Sequence, residues 1–144
     1  MMIVHSVNWL AVLVAGISAL VMGGIWYSPA LFGRVWMKEN HLTIEELRKS
    51  NKGRIFGWSF VLSLIVASNM GMLLADPVSH IEGAQQSMRL LEGVLAGCGT
   101  GVGVFAFVAV IGLFEMKSSR HIFINGGYCI LASALMGAII GAWR

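Results

Sequence analysis

The chain has 144 residues, of which 57% are apolar and 12% charged, and its formal net charge is +3. A typical soluble domain carries about 25% charged residues, so this composition excludes an ordinary soluble protein. The positive charge does not indicate nucleic-acid binding, because the basic residues are concentrated in loops between apolar segments.

Four long apolar segments fill most of the chain, at about residues 7–27, 54–75, 90–114 and 122–143. Each is long enough to cross a hydrocarbon core, which takes roughly 20 helical residues. The connections between them are too short to form a separate soluble domain. The sequence therefore predicts an all-α fold, with residues 1–144 in one integral membrane four-helix bundle of antiparallel transmembrane helices.

The positions of the basic residues predict the orientation in the membrane. Between the first two spans lie Arg34, Lys38, Arg48, Lys49, Lys52 and Arg54. Lys117 and Arg120 lie between the last two, and only Arg89 and Arg144 lie on the opposite side. Because basic loops remain cytoplasmic, we expect both termini on the non-cytoplasmic side. No basic residue precedes the first span, so we expect a retained helix rather than a cleaved signal peptide.

The cytoplasmic loop of residues 28–53 contains sequence signals for short interfacial helices. Pro29 lacks a backbone donor and disfavours helical backbone at the preceding residue, so the first span should end there. Residues 30–40 place four apolar side chains on one helical face, which predicts a helix in the membrane interface: Leu31, Phe32, Val35 and Trp36. Thr43 and Glu46 match a capping box, which predicts a second short helix from Ile44 to about Ser50.

The other connections are short. The Asp-Pro pair at residues 76–77 should end the second span, and a helical lead-in to the third should begin near Gln85. Residues 115–120 form a tight turn, so the third and fourth spans should form a hairpin. Ser118 or Ser119 should cap the fourth helix.

Small residues recur at four-residue spacing in every span. Such residues share one helical stripe, and close packing drives the association of membrane helices. The predicted helix-packing residues are Ala15, Ala19, Gly23, Ala67, Gly71, Gly93, Gly97, Gly101, Gly137 and Gly141. We favour an internal seam, the alternative being a subunit contact. Gly99 and Gly103 give the third span a second small face, which makes it the best candidate for such a contact. Four short helices bury little protein surface, so we expect a homo-oligomer, with a dimer favoured.

The spans contain no charged residue in their middle thirds and no catalytic constellation. Pumps and carriers of charged substrates need an ionisable group inside the membrane, and hydrolases need a nucleophile with a base or a metal. The four histidines show no metal-ligand spacing, and Cys98 and Cys129 should lie at different depths. We therefore expect no catalytic residue, no metal, no cofactor, no disulfide and no enzymatic activity.

Polar residues near the helix ends are the remaining candidates. Asn8 and Asn69 should lie near the outer ends of their helices, at about the height of Glu92. Asn125 and Tyr128 should lie near the inner end of the fourth helix. There they are within reach of the corner formed by Trp26, Tyr27 and Ser28. We favour interhelical hydrogen bonds that set the helix register, the alternative being a small polar pocket in which all eight residues are ligand-binding candidates.

Segments at both ends of the chain resemble the domain of unknown function 1761. They are NWLAVLVA at residues 8–15, GIWYSPALFGRVWM at 24–37, FINGGY at 123–128 and LMGAIIGAW at 135–143. The Trp-Tyr-Ser-Pro-x-Leu-Phe-Gly part is the most specific. The resemblance implies a small bacterial inner-membrane protein with four helices, and it implies no activity.

Two functional hypotheses follow. In the first, the protein is a non-enzymatic homo-oligomer that binds or passes a small neutral solute or lipid. In the second, it is a structural or regulatory subunit whose basic loop contacts anionic lipid or another membrane protein. Membrane lipid and a second copy are the expected partners in the first hypothesis, and neither hypothesis involves nucleic acid.

Overall fold

A computed structural model describes residues 7–75 and 86–143. Within them lie six helices and no strand: α1 (Trp9–Trp26), α2 (Gly33–Glu39), α3 (Ile44–Lys49), α4 (Lys52–Leu74), α5 (Gln86–Phe114) and α6 (Ser119–Ala142). Helices α1, α4, α5 and α6 are long and apolar enough to cross a membrane. The all-α prediction is confirmed, and the chain is a multi-pass membrane protein. The features predicted at residues 76–77 and Gln85 lie outside the described residues.

Helix α1 runs antiparallel to α4 and α6, and α5 runs antiparallel to α6. At one end of the protein, the Asn8 side-chain amide donates a hydrogen bond to the carbonyl oxygen of Trp143 at 3.0 Å, which joins the start of α1 to the end of α6. At the other end, the Tyr27 hydroxyl donates to Asn125 and joins the end of α1 to the start of α6. Helix α4 also runs antiparallel to α1, and their contact is described below.

Packing among the four long helices is unequal. Helix α1 contacts both α4 and α6, whereas α5 packs almost entirely on α6. In the most apolar 18-residue window of each helix, 39% of α6 is buried but only 11% of α5. Helix α6 is therefore central, and α5 presents most of its surface to the surroundings.

Glycines form the contact between α5 and α6. A Cβ atom on Gly97 would collide with the Ser133 carbonyl and lie 2.8 Å from the Ala134 Cα atom. A Cβ on Gly101 would lie 2.6 Å from the Ile130 Cα. Gly93 and Gly137 face each other, and a Cβ atom on either one would collide with the carbonyl oxygen of the other. The two backbones approach so closely that a side chain at these positions would separate the helices.

The small residues of α1 and α4 pack between those two helices. Ala15 and Ala67 are completely buried. A Cβ atom on Gly71 would lie 2.9 Å from the Val12 side chain, and one on Gly16 would lie 2.7 Å from the Leu64 side chain. These contacts pair the start of α1 with the end of α4, which gives the antiparallel arrangement. Of the other predicted packing residues, Ala19 and Gly141 are buried and Gly23 lies beside the Tyr128 hydroxyl.

The second small face of α5 has a different environment. A Cβ atom on Gly99 or Gly103 would meet nothing within 4 Å among the described residues. This face is therefore open, whereas the face carrying Gly93, Gly97 and Gly101 is closed by α6.

Helix α2 begins three residues later than the interfacial helix predicted from residue 30. A turn precedes it, in which the Gly33 amide donates to the Ser28 carbonyl at 2.9 Å and the Phe32 amide donates to the Trp26 carbonyl at 3.1 Å. A Cβ atom on Gly33 would collide with the Tyr27 carbonyl oxygen. The chain reverses so tightly between Trp26 and Gly33 that only glycine fits at position 33.

Helix α3 begins with the predicted capping box. The Glu46 amide donates to the Thr43 hydroxyl, and the Glu46 carboxylate accepts from the Thr43 amide at 2.8 Å. These hydrogen bonds from the Thr43 backbone and hydroxyl hold the pKa of the Glu46 carboxyl below its usual range. The helix ends at Lys49, one residue before the predicted end, and α4 begins at Lys52.

Candidate functional site

A cleft of about 680 Å³ opens between α1, α4 and α6, at the end of the protein that carries α2 and α3. Its walls are mainly apolar, and the side chains that supply them include Leu20, Met37, Ile44, Leu47, Ile55 and Phe56. Its polar and basic lining residues are Tyr27, Arg48, Ser50, Lys52, Ser59, Asn125 and Tyr128. Helix α5 contributes no lining residue.

Three side chains form a hydrogen-bonded chain beside the cleft. The Tyr27 hydroxyl donates to Asn125 Oδ1 at 2.9 Å, and Asn125 Nδ2 lies 2.9 Å from His121 Nε2. Because the Asn125 oxygen is the acceptor for Tyr27, its amide group donates to Nε2, and a neutral His121 then carries its proton on Nδ1. That Nδ1 atom is buried and has no hydrogen-bond partner in the described part of the chain.

Aromatic rings anchor the corner after α1 to α6. The Trp26 indole donates to the Ile124 carbonyl at 2.9 Å, and its ring lies 4.4 Å from that of Phe32. The ring of Tyr27 lies 5.6 Å from both the Trp36 and the Tyr128 rings. This cluster holds α2 against the membrane helices and so shapes one side of the cleft.

Tyr128 packs beside the corner but hydrogen-bonds elsewhere. Its hydroxyl donates to the Ala19 carbonyl at 3.1 Å, about two turns deeper in α1 than the predicted partner segment of Trp26, Tyr27 and Ser28. Adjacent to it on α6, Gly127 leaves room for Trp26, whose ring would lie 3.2 Å from a Cβ atom at that position. Both contacts fix the position of α1 along α6.

Replacing Asn125 with alanine will destabilise the protein, because it leaves the Tyr27 hydroxyl and His121 Nε2 without their partner. We expect a loss of about 1–3 kcal/mol in the free energy of unfolding, measured by denaturant titration in detergent micelles. The Tyr27→Phe variant will lose less, because it removes one donor and leaves no hydroxyl unpaired. In a protein that already carries Tyr27→Phe, Asn125→Ala will lower the free energy of unfolding by less than it does alone. Equal losses in the two backgrounds would contradict a direct interaction between Tyr27 and Asn125.

The other ligand-binding candidates lie outside the cleft. Asn8 caps the start of α1 by accepting from the Ala11 amide at 3.2 Å, at the far end of the protein. Asn69, for which we favoured an interhelical hydrogen bond, is exposed on α4. Its amide bonds the Ile65 carbonyl of its own helix at 2.9 Å, so it needs no partner from a neighbour. Glu92 is half-buried on α5, the long helix that contributes no lining residue to the cleft.

Trp26 and Ser28 support the site without lining it. Trp26 does so through its bond to Ile124. The Ser28 carbonyl accepts from the Gly33 and Leu31 amides, so this residue shapes the corner through its backbone. The structure thus brings together Tyr27, Asn125 and Tyr128 at the cleft and places the remaining candidates elsewhere.

Sequence reasoning missed several residues of the site. His121 lies four residues before Asn125 on the same helix face, and this spacing is the signal that could have identified it. Arg48 and Lys52 were interpreted as topology signals and as part of a basic loop that contacts anionic lipid or a partner protein. Their place at the cleft follows from the way α3 turns into α4. No sequence pattern indicates that Gly24 faces open space on the cleft wall.

The described residues contain no cluster of histidine, cysteine and carboxylate side chains that could hold a metal ion. Cys98 and Cys129 are free thiols. The chemistry available at the cleft is therefore that of hydroxyl, amide and basic groups beside apolar walls.

A family model described as protein of unknown function (DUF1761) matches residues 10–141, and the chain therefore belongs to this family. No curated protein matches the chain. No solved structure matches it either.

Proposed function

We propose that this protein binds a small lipid or a small neutral solute of the membrane in the cleft, without catalysing a reaction. The cleft itself carries the proposal, because its volume of about 680 Å³ falls within the roughly 300–1,000 Å³ of ligand sites. Like such sites, it combines apolar walls with a few polar groups, here Tyr27, Asn125 and Tyr128. None of the described residues that line it is a histidine, a cysteine or a carboxylate, which favours binding over catalysis.

The proposed orientation places the cleft at the cytoplasmic face of a bacterial inner membrane. The basic residues of α2, α3 and the start of α4 lie at the same end as the cleft. Because such residues remain in the cytoplasm, an amphiphile would enter from the inner leaflet, and the termini would lie on the other side.

Retention of an amphiphile through purification tests this proposal. The protein is extracted in a neutral detergent, exchanged into fresh detergent and analysed by native mass spectrometry. We expect one retained amphiphile per chain, released when the protein is unfolded. A protein that carries no such adduct, and that acquires none when membrane lipids are added back, would contradict the proposal.

We further propose that two copies associate through the open face of α5. This proposal is supported by the different surroundings of the two small faces of α5. Gly93, Gly97 and Gly101 contact α6, whereas Gly99 and Gly103 have free space beside them among the described residues. Exposed apolar residues flank them on the same helix, including Leu95, Val102 and Phe107. Small residues allow the close approach that membrane helices need to associate.

Replacing both Gly99 and Gly103 with leucine will convert the proposed dimer to a monomer. The leucine side chains would occupy the space that a second α5 requires, while leaving the contact with α6 intact. The measurement is the protein mass in detergent by light scattering, with Gly57→Leu on α4 as the control. A double variant that keeps the mass of the unchanged protein would contradict this contact.

The alternative function, a structural or regulatory subunit, is favoured by one observation. The turn before α2 exposes Leu31, and helices α2 and α3 expose Val35 and Ile44, beside several basic residues. Such a surface suits anionic lipid or another membrane protein. Purification from native membranes tests this alternative. A stoichiometric partner that is lost when these three residues are changed to serine would support it. Recovery of the protein alone would count against it.

A further inference from the structure

The mouth of the cleft differs chemically from its interior. Arg48 on α3 and Lys52 at the start of α4 line the cleft, as does Ser50 between them. Farther along α4 come Ile55, Phe56 and then Ser59. At about 1.5 Å rise per residue, the path from Lys52 to Ser59 extends roughly 10 Å into the membrane helices. Positive charge therefore lies at the mouth, and apolar surface lies deeper.

Neither basic side chain has a counter-charge in the described part of the chain. Arg48 and Lys52 form no ion pair with any described residue, and none of the side chains that line the cleft is a carboxylate. Of the three acidic side chains in residues 28–53, two are engaged elsewhere, since the Ser118 hydroxyl donates to the Glu39 carboxylate and Glu46 caps α3. The third, Glu45, does not line the cleft. The mouth thus keeps two cationic groups available to a ligand.

We infer that the ligand of this cleft is an anionic amphiphile, with a phosphate or carboxylate headgroup held by Arg48 and Lys52. Its apolar chain lies along Leu20, Ile55 and Phe56. Guanidinium and ammonium groups form stronger hydrogen bonds with such oxyanions than neutral donors do. The apolar walls contact the hydrocarbon chain that is attached to the headgroup. This inference rests on the proposed function, because it names the class of ligand for the same cleft.

Competition between two lysolipids tests the headgroup. Protein in neutral detergent is given an equimolar mixture of palmitoyl lysophosphatidylglycerol and palmitoyl lysophosphatidylcholine, and adducts are quantified by native mass spectrometry. The two lipids share a chain and differ in net charge. We expect the anionic adduct to exceed the zwitterionic one by at least about tenfold, as charge-assisted hydrogen bonds predict.

Two matched double variants locate the source of this preference. R48Q/K52Q removes the charges at the mouth, whereas R34Q/K38Q removes the same number from α2, where neither residue lines the cleft. We expect the anionic preference to fall to near unity in the first variant and to persist in the second. An equal loss in both would overturn the inference, because it would indicate attraction by the overall positive surface.

Two further experiments distinguish a failure of the anionic-amphiphile assignment from a failure of the proposed function. Glycerol 3-phosphate, which has the anionic group without the chain, should not compete with the lysolipid; equal competition would indicate a site for a free anion and overturn the amphiphile assignment. If both lysolipids bind equally and Gly24→Phe blocks both, the proposed function stands and the anionic assignment fails. If Gly24→Phe blocks neither, the proposed function fails as well.

Discussion

Replacing Gly97 with leucine will prevent most of the protein from folding. The Cβ atom alone would collide with the Ser133 carbonyl and lie 2.8 Å from the Ala134 Cα atom. Overpacking costs about 1–3 kcal/mol where side chains can move aside, and here the obstacle is backbone of the neighbouring helix. The whole α5–α6 contact must open to admit the side chain. We expect a strongly reduced yield of monodisperse protein and a lower melting temperature in detergent.

Gly99→Leu on the same helix is the matched control. It makes the same change in volume, hydrophobicity and helix propensity, but its Cβ meets nothing within 4 Å among the described residues. We expect this variant to fold and melt like the unchanged protein in a detergent that keeps both monomeric. Equal melting temperatures for the Gly97 variant and the control would contradict the close packing of α5 against α6 at Gly97.

Replacing Gly24 with phenylalanine will abolish ligand binding while preserving the fold. Gly24 lines the cleft, and a Cβ atom there would meet nothing within 4 Å of described residues. The phenyl ring can therefore enter the cleft without displacing the protein. Because it occupies the volume and covers the apolar wall that a ligand would use, we expect affinity for an amphiphile to fall by at least about 100-fold, or roughly 3 kcal/mol.

Gly57→Phe serves as the control for this experiment. Gly57 lies on α4, also has open space at its Cβ position and does not line the cleft. Both variants should melt near the temperature of the unchanged protein, and only the Gly24 variant should lose binding by native mass spectrometry. Normal binding by a well-folded Gly24→Phe protein would show that the ligand lies elsewhere.

The sequence predicted the spans and the small-residue contacts well, because both depend on local patterns. Length and hydropathy define a membrane helix, and four-residue spacing places Gly93 and Gly97 on one stripe. The corner at Pro29 and the cap at Thr43 also follow from the chemistry of single residues. These features need no knowledge of which helices are neighbours.

The site was harder to predict, because it depends on helix order and rotation. Asn69 and Asn125 look equivalent in the sequence, yet one bonds its own helix and the other joins Tyr27 to His121. Four-residue spacing likewise does not tell which small face of α5 meets α6. Only the packing of α1 between α4 and α6 creates the cleft and brings Arg48 and Lys52 to its mouth.

Photo-cross-linking with a lipid tests the central claim most directly. An anionic lysolipid with a photoreactive group in its chain is bound to the protein, activated by light and located by peptide mass spectrometry. Binding in the cleft predicts cross-links concentrated at Leu20, Ile55 and Phe56, and their loss in the Gly24→Phe variant. Cross-links spread equally over the exposed face of α5, at Leu95 and Phe107, and unchanged in that variant would contradict the proposed site.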